Sequence, residues 1–347
     1  MARKTKTKKT KVQKAVGLRV CDFAFPGEKG SYWTGIIGVI ILFGWLAAGA
    51  FLMLNKPETA AQKFYIPLYI VVYPIAAVLI GNWLAAKPRA TLMKKAGRQS
   101  KVMNNNFADL YRVLARQASL LGMKTPPDMY LVSDPQPLMY SLAGGRGSII
   151  ASQALRDAMA PEEFEALMAH EVTHHACKHV RLDLAETFIR SSGLGVKIGL
   201  FPVLLIGFFG RAWAELIEFT ADRGALLVML RPSILNAAIV KFAVVADPNA
   251  GITREELQAY IDSAGDISTD AKQIERHFKV GQFMSSQPGL RERIEQLTEF
   301  PRTEAGQQAL AKMAEIQGVS VANIPQRKAA EDDMEQMAVD ETDQLTM

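Results

Sequence analysis

Charge vanishes from two long stretches near the start of the chain. Trp33 to Leu54 runs twenty-two positions without a charged side chain. As a helix it would reach about 33 Å, against a bilayer core of about 30 Å. Phe64 to Ala86 is a second charge-free run, and it carries Pro67 and Pro74. Membrane helices tolerate such prolines. The two runs predict a transmembrane helical hairpin, with Trp33 and Trp83 as interfacial anchors. Ala47, Ala48 and Ala50 superficially resemble a signal-cleavage site, but the apolar run continues past them.

Beyond the hairpin the pattern becomes that of a folded domain. Between Asn104 and Met123, Phe107, Leu110, Tyr111, Leu114, Leu120 and Leu121 recur at helical spacing. Pro126 and Pro127 end that helix. Met129 to Val132 and Ser148 to Ala151 read as strands, with Gly144-Gly145-Arg146-Gly147 as a hairpin turn between them. Those glycines lack the lysine and the spacing of a phosphate loop. Pro161, followed by Glu162 and Glu163, opens another helix. Gly193 to Gly210 is apolar, but its charge-free part, Ile198 to Gly210, is short for a span and contains Pro202. After residue 230 the chain reads as helical, with Thr253 and Glu256 as a capping box. The expected class is mainly α with a small β-sheet.

Charge orients the hairpin. Residues 1–19 hold eight Lys or Arg and no acid. Lys87, Arg89, Lys94, Lys95, Arg98 and Lys101 follow the second run, whereas the loop between the runs has only Lys56 and Lys63. Positive flanks on both outer ends place both in the cytoplasm, and everything after residue 87 with them. The basic tail has no aromatic residue before Phe23, so nucleic acid is not an expected partner. Residues 331–343 hold seven acids and no base, which reads as a solvated tail. Cys21 and Cys177 give no disulfide framework.

Four of the five histidines fall between residues 170 and 179. His170 and His174, four apart on a helix, can aim two imidazoles at one metal ion. Glu171 beside them can take a proton from an attacking water. His175 and His179 fall toward the other side of the helix and read as packing or surface residues. A third histidine ligand ten residues after the first is excluded, because position 180 is Val. Glu218 and Asp222 are again four apart. One could bind the metal and the other accept the free N–H of a ligating histidine. Glu215 is an alternative ligand without such a partner, and His277 stands alone.

His170-Glu171-x-x-His174 followed by Glu218-Phe219-x-Ala221-Asp222 resembles the HtpX-like and CAAX prenyl protease family of integral-membrane zinc metalloendopeptidases. Pro288-x-x-x-x-Arg293-Ile294-x-x-Leu297 resembles that family's later signature, and the two apolar runs match the HtpX-like arrangement. The resemblance covers roughly residues 30 to 300. It implies a zincin-like gluzincin domain holding one Zn2+ per chain. His170, His174 and Glu218 would be ligands and Glu171 the base, with Asp222 and Arg293 supporting the ligands from behind. This sequence departs from the family in three places. Gln287 stands where a histidine is usual. Leu138-Met139-Tyr140-Ser141 stands where the edge strand often has Asn-Ala-Phe. The apolar segment 193–210 is shorter than the two spans that relatives commonly carry. A single span there would put Glu218 across the membrane from His170, so it is expected to be re-entrant, interfacial or buried.

The expected organisation is a basic tail at 1–32, the hairpin at 33–86, a zinc metallopeptidase domain at 87–325 and an acidic tail at 326–347. The expected partners are a protein or peptide substrate and the lipid bilayer, with the protein in the inner membrane and its catalytic domain in the cytoplasm. The resemblance implies membrane-protein quality control or processing. The rival function is a catalytically silent zinc-binding membrane scaffold, which would have no need of Glu171.

Overall fold

The computed structural model describes residues 18–54, 100–142, 147–179, 201–246 and 288–320, with isolated positions at 72, 76, 79 and 80. After a short 3-10 turn at Val20–Phe23 come helix α1 (Glu28–Leu54) and helix α2 (Ala108–Leu120). Strands β1 (Asp128–Val132), β2 (Met139–Leu142) and β3 (Ser148–Ser152) follow, then helices α3 (Gln153–Ala158) and α4 (Pro161–Ala176). Helices α5 (Phe201–Met229), α6 (Pro232–Ala246), α7 (Leu290–Glu299) and α8 (Glu304–Gln317) complete the described chain.

The expected class holds: helices dominate, around one small sheet. Its strand order is β1-β3-β2. β1 and β3 run parallel, from Asp128 opposite Ser148 to Val132 opposite Ser152. The two strands read from the sequence are therefore not hairpin partners. β2 is the antiparallel partner of β3, with Tyr140 opposite Ile150; residues 143–146, with the first two glycines of the expected turn, lie outside the described residues. β2 is an edge strand, formed by the segment that the resemblance placed there.

Local chemistry fixes the helix ends around the site. Pro161 starts α4, and the Glu163 carboxylate accepts a hydrogen bond from the Ala160 backbone N–H at 2.8 Å. Ser152 caps α3 by accepting from Leu155 N–H at 3.1 Å. α2 buries Leu110, Leu114, Ala118 and Leu120, the face that the periodicity predicts. Met129, Ile149, Leu155, Met168, Leu226, Leu227, Leu235 and Phe300 are fully buried and form the centre of one continuous core. α4 runs through it, flanked by β2, α2, α5 and α6.

Residues 201–210 of the apolar segment form the beginning of α5, the 29-residue helix that also carries Glu218. Residues 193–200 lie outside the described residues. So do the second arm of the expected hairpin, both tails beyond residues 18 and 320, the capping box at Thr253, His277 and Gln287. Among the described residues no helix is long and apolar enough to cross a membrane. The hairpin is therefore not established by the structure.

Candidate metal centre

The site is built where α4 and α5 touch. A Cβ on Gly224 of α5 would lie 2.3 Å from Thr173 Oγ1 and 2.4 Å from its Cγ2, so only glycine permits this approach. Thr173 cannot swing away freely, because its hydroxyl donates to Ala169 O at 2.8 Å. This contact holds His170 and His174 of α4 against Glu218 and Asp222 of α5.

His170 Nε2 and His174 Nε2 are 3.1 Å apart. Glu218 Oε2 lies 3.4 Å from the first and Glu218 Oε1 lies 3.5 Å from the second. Ligand atoms of a tetrahedral ion with bonds of about 2.0–2.1 Å are separated by about 3.3–3.4 Å. One carboxylate oxygen meets each imidazole, and a single ligand atom from each of the three residues lies within 4.8 Å of the others, so His170, His174 and Glu218 could hold one small divalent cation. Glu215, the alternative ligand, is not in this cluster. It acts on Glu292, whose carboxyl is pushed up by burial and by the charges of Glu215 and Glu295.

Behind His170 stands a carboxylate that is itself held. His170 Nδ1 is 2.8 Å from Asp222 Oδ1. Arg293 of α7 donates from Nε to Asp222 Oδ2 at 2.8 Å and from Nη2 to Oδ1 at 2.6 Å. An Nδ1–H donated to Asp222 leaves the Nε2 lone pair aimed into the cluster. Glu171, next to His170, contributes to the field that keeps Arg293 charged, along with Asp222 and Glu218 and against the effect of burial.

Burial opposes charge on His170, yet hydrogen bonds to Asp222 and Glu218 push its pKa up to about 10. Burial drives His174 well below its usual value; Glu218 pulls it up, and the charge on His170 pushes it down. Burial would raise Glu218 and Asp222, but the cationic groups around them outweigh it and hold both below the carboxylate range. A metal ligand must be deprotonated, so a metal and a proton compete for these imidazoles.

The far side of His174 holds residues that sequence reasoning missed. α4 ends at Ala176, and Lys178 has a left-handed φ of 63°, which turns the chain back. His179 is therefore not on the helix. Its Nδ1 lies 3.3 Å from His174 Nδ1, and its Nε2 lies 3.2 Å from Glu28 Oε1. The second Glu28 oxygen accepts from Thr220 Oγ1, which accepts in turn from the Phe25 backbone N–H at 2.9 Å. Burial would raise the Glu28 carboxyl, but His179 and Thr220 hold it below its usual value. No sequence signal links Glu28 to a histidine 151 residues away. His175 packs against β3, where burial pulls its pKa down to about 4.

Comparison with known proteins gives the family. The model of peptidase family M48 matches residues 104–300, more than half of the chain. Plastoglobule-localized metallopeptidase 48 of Arabidopsis thaliana is 28% identical over 155 residues, 44% of this chain and 45% of its own length. Protease HtpX homolog 1 of Streptomyces coelicolor is 25% identical over 259 residues, 66% of this chain and 82% of its own. Protease HtpX of a Psychrobacter species is 22% identical over 264 residues, 67% and 82% of the two chains. No solved structure matches the chain significantly. With its HExxH helix, its second motif and this match, the chain belongs to peptidase family M48 and is a metalloprotease of the HtpX-like kind.

Proposed function

We propose that this chain is a zinc-dependent endopeptidase that α1 anchors in a membrane, with His170, His174 and Glu218 as ligands and Glu171 as base. The observation that carries it is the meeting of two imidazole nitrogens 3.1 Å apart with the Glu218 carboxylate, one ligand atom from each residue lying within 4.8 Å of the others, with Glu171 one residue from His170. Two imidazoles and a carboxylate suit zinc and leave a fourth position open. These residues would hold a zinc ion, which would supply Lewis acidity to the scissile carbonyl and the attacking water. Glu171 accepts the proton of the attacking water and passes it to the leaving amine. Asp222 and Arg293 hold His170 in the tautomer that faces the metal. The outer edge of β2 has no strand partner among the described residues, and Ser141 Oγ of β2 donates to Glu171 O at 3.3 Å. An extended peptide laid along that edge would pass the base.

Membrane anchoring is supported by the charge-free sequence 33–54 inside α1 and by its exposed Trp33, Ile37, Ile40, Ile41 and Phe51. Cytoplasmic placement of the catalytic residues rests on the basic flanks. Membrane-protein quality control or processing is the role that suits a protease so placed.

Full-length protein purified in mild detergent should contain one zinc per chain and cleave casein. Glu171→Gln should keep the zinc and lose at least about a hundredfold in rate, the usual share of general acid–base catalysis. Undiminished casein cleavage by Glu171→Gln would overturn the peptidase mechanism. Zinc that stays stoichiometric after His170, His174 and Glu218 are all changed to Ala would overturn the ligand set. The protein should also stay with membranes after an alkaline wash, with a C-terminal tag reachable only from the cytoplasmic side.

A further inference from the structure

The two metal-facing imidazoles are supported differently. His170 meets a carboxylate directly through Nδ1. His174 meets another histidine, and the carboxylate stands one step further back. We propose that Glu28, acting through His179, is a positioning residue for the metal ligand His174.

Only one arrangement of protons satisfies every contact in the chain of groups. A metal at His174 Nε2 requires the hydrogen on Nδ1, which then donates to His179 Nδ1. His179, accepting there, carries its own hydrogen on Nε2 and donates it to Glu28 Oε1. Thr220 donates to the other oxygen of Glu28, and the Phe25 N–H satisfies Thr220. Donor meets acceptor at each step, and the last lone pair points into the metal cluster.

Burial makes this arrangement more than an incidental contact. Glu28 is 9% exposed, His179 3% and Thr220 fully covered. A carboxylate removed from water is costly unless its oxygens are hydrogen-bonded, and here both are. Two backbone turns bring the pair together. Gly27, at φ +88°, feeds the chain into α1 so that Glu28 enters at the first turn, facing inward. Lys178, at φ 63°, returns His179 over the end of α4, a conformation that a lysine adopts only at a cost. The Trp213 ring meets His179 edge-on, with centroids 6.1 Å apart, and closes the remaining side. The metal site thus includes the first residue of α1.

The proposal rests on the reading of His174 as a ligand. Its test is zinc affinity of the full-length protein, measured by chelator competition, with the visible spectrum of the Co2+-substituted protein as a second readout. Glu28→Ala and His179→Leu should each weaken zinc binding by about ten- to a hundredfold and perturb the cobalt bands. The double variant should bind no more weakly than the worse single one, because both changes break the same chain. His179→Gln, which can still accept and donate, should bind closer to the wild type than His179→Leu. If Glu28→Ala does not fold, Glu28→Gln replaces it: it keeps an acceptor for His179 and should lose less affinity than His179→Leu. Folded variants with wild-type affinity and an unchanged cobalt spectrum would overturn the proposal, as would losses that add fully in the double variant. A wild-type protein that binds no zinc would instead remove the metal-site reading beneath it.

Discussion

Asp222 and Arg293 form a fork in which two donors meet two oxygens, and that geometry is what orients His170. Lysine has the charge of arginine but not the fork. Arg293→Lys should therefore weaken zinc binding about tenfold while leaving the protein folded, and Asp222→Asn should weaken it by about ten- to a hundredfold. Chelator competition measures both, and excess zinc should restore part of the activity of each. Equal affinity in Arg293→Lys and the wild type would mean that charge alone matters there. His175 makes a different prediction, about stability. Its folded pKa is about 4, below the ordinary 6.5, because burial disfavours the charged ring. Between those values the unfolded chain binds the extra proton, so stability rises with pH across that window. The contribution is fully present above pH 6.5 and is lost as pH falls through about 4. At full effect it is on the order of 3 kcal/mol. Denaturant unfolding of metal-free wild type and His175→Gln at several pH values isolates it as a difference. A constant difference from pH 4 to 7 would refute it.

At the scale of elements, the contact between α4 and α5 decides whether the ligands meet. Gly224→Ala puts a methyl within 2.8 Å of three Thr173 side-chain atoms, and α5 must move or tilt to accept it. Overpacking of this kind typically costs about 1–3 kcal/mol. The displaced helix carries Glu218 and Asp222, so zinc affinity should fall as well. Thr173→Ala in the same chain removes the two closest contacts and should recover part of both losses, as read by thermal unfolding and chelator competition. Much of this part of the fold is legible in the sequence, because its determinants are local. Pro161 with Glu162 and Glu163 announces α4, and the spacing of four in His170–His174 and Glu218–Asp222 announces facing pairs. What the sequence hides depends on where an element stops or which element it meets. Helical periodicity carried past Ala176 puts His179 on the wrong side, because the periodicity has no information about the left-handed turn at Lys178. The parallel pairing of β1 with β3 is equally hidden, since alternation within a strand does not choose its partner. Glu28 is legible only through its contacts with His179 and Thr220, 151 and 192 residues further along the chain.

Across the whole molecule, one side chain ties three distant parts of the chain together. The Arg223 guanidinium lies over the Phe25 ring at 4.6 Å and over the Phe300 ring at 4.5 Å. It also donates to Ala24 O at 3.4 Å. The leg before α1 is thereby clamped to α5 and to the end of α7. Leu18 N–H bonding to Leu120 O at 2.8 Å fixes the other end of the leg to α2. Burial pulls the Arg223 pKa down to about 10, which still leaves it charged at neutral pH. Each cation–π contact contributes about 0.5–2 kcal/mol, more where the pair is desolvated. Against this, Arg223 Nε is buried and has no hydrogen-bond partner among the described residues, which offsets part of the gain. Arg223→Met keeps an apolar chain between the rings and removes both effects, so the net loss should be about 1–2 kcal/mol in denaturant unfolding. The two rings have different consequences for the metal site. Phe25 supplies the backbone N–H that Thr220 accepts, so loosening it disturbs the groups behind His174, whereas the Phe300 backbone carbonyl accepts from Thr303 at the start of α8. Arg223→Met should therefore weaken zinc binding, while Phe300→Leu should destabilise the fold to a similar degree and leave zinc affinity near wild type. Equal loss of affinity in both variants would mean that the metal site follows overall stability and that the N-terminal leg is not held in register by this clamp.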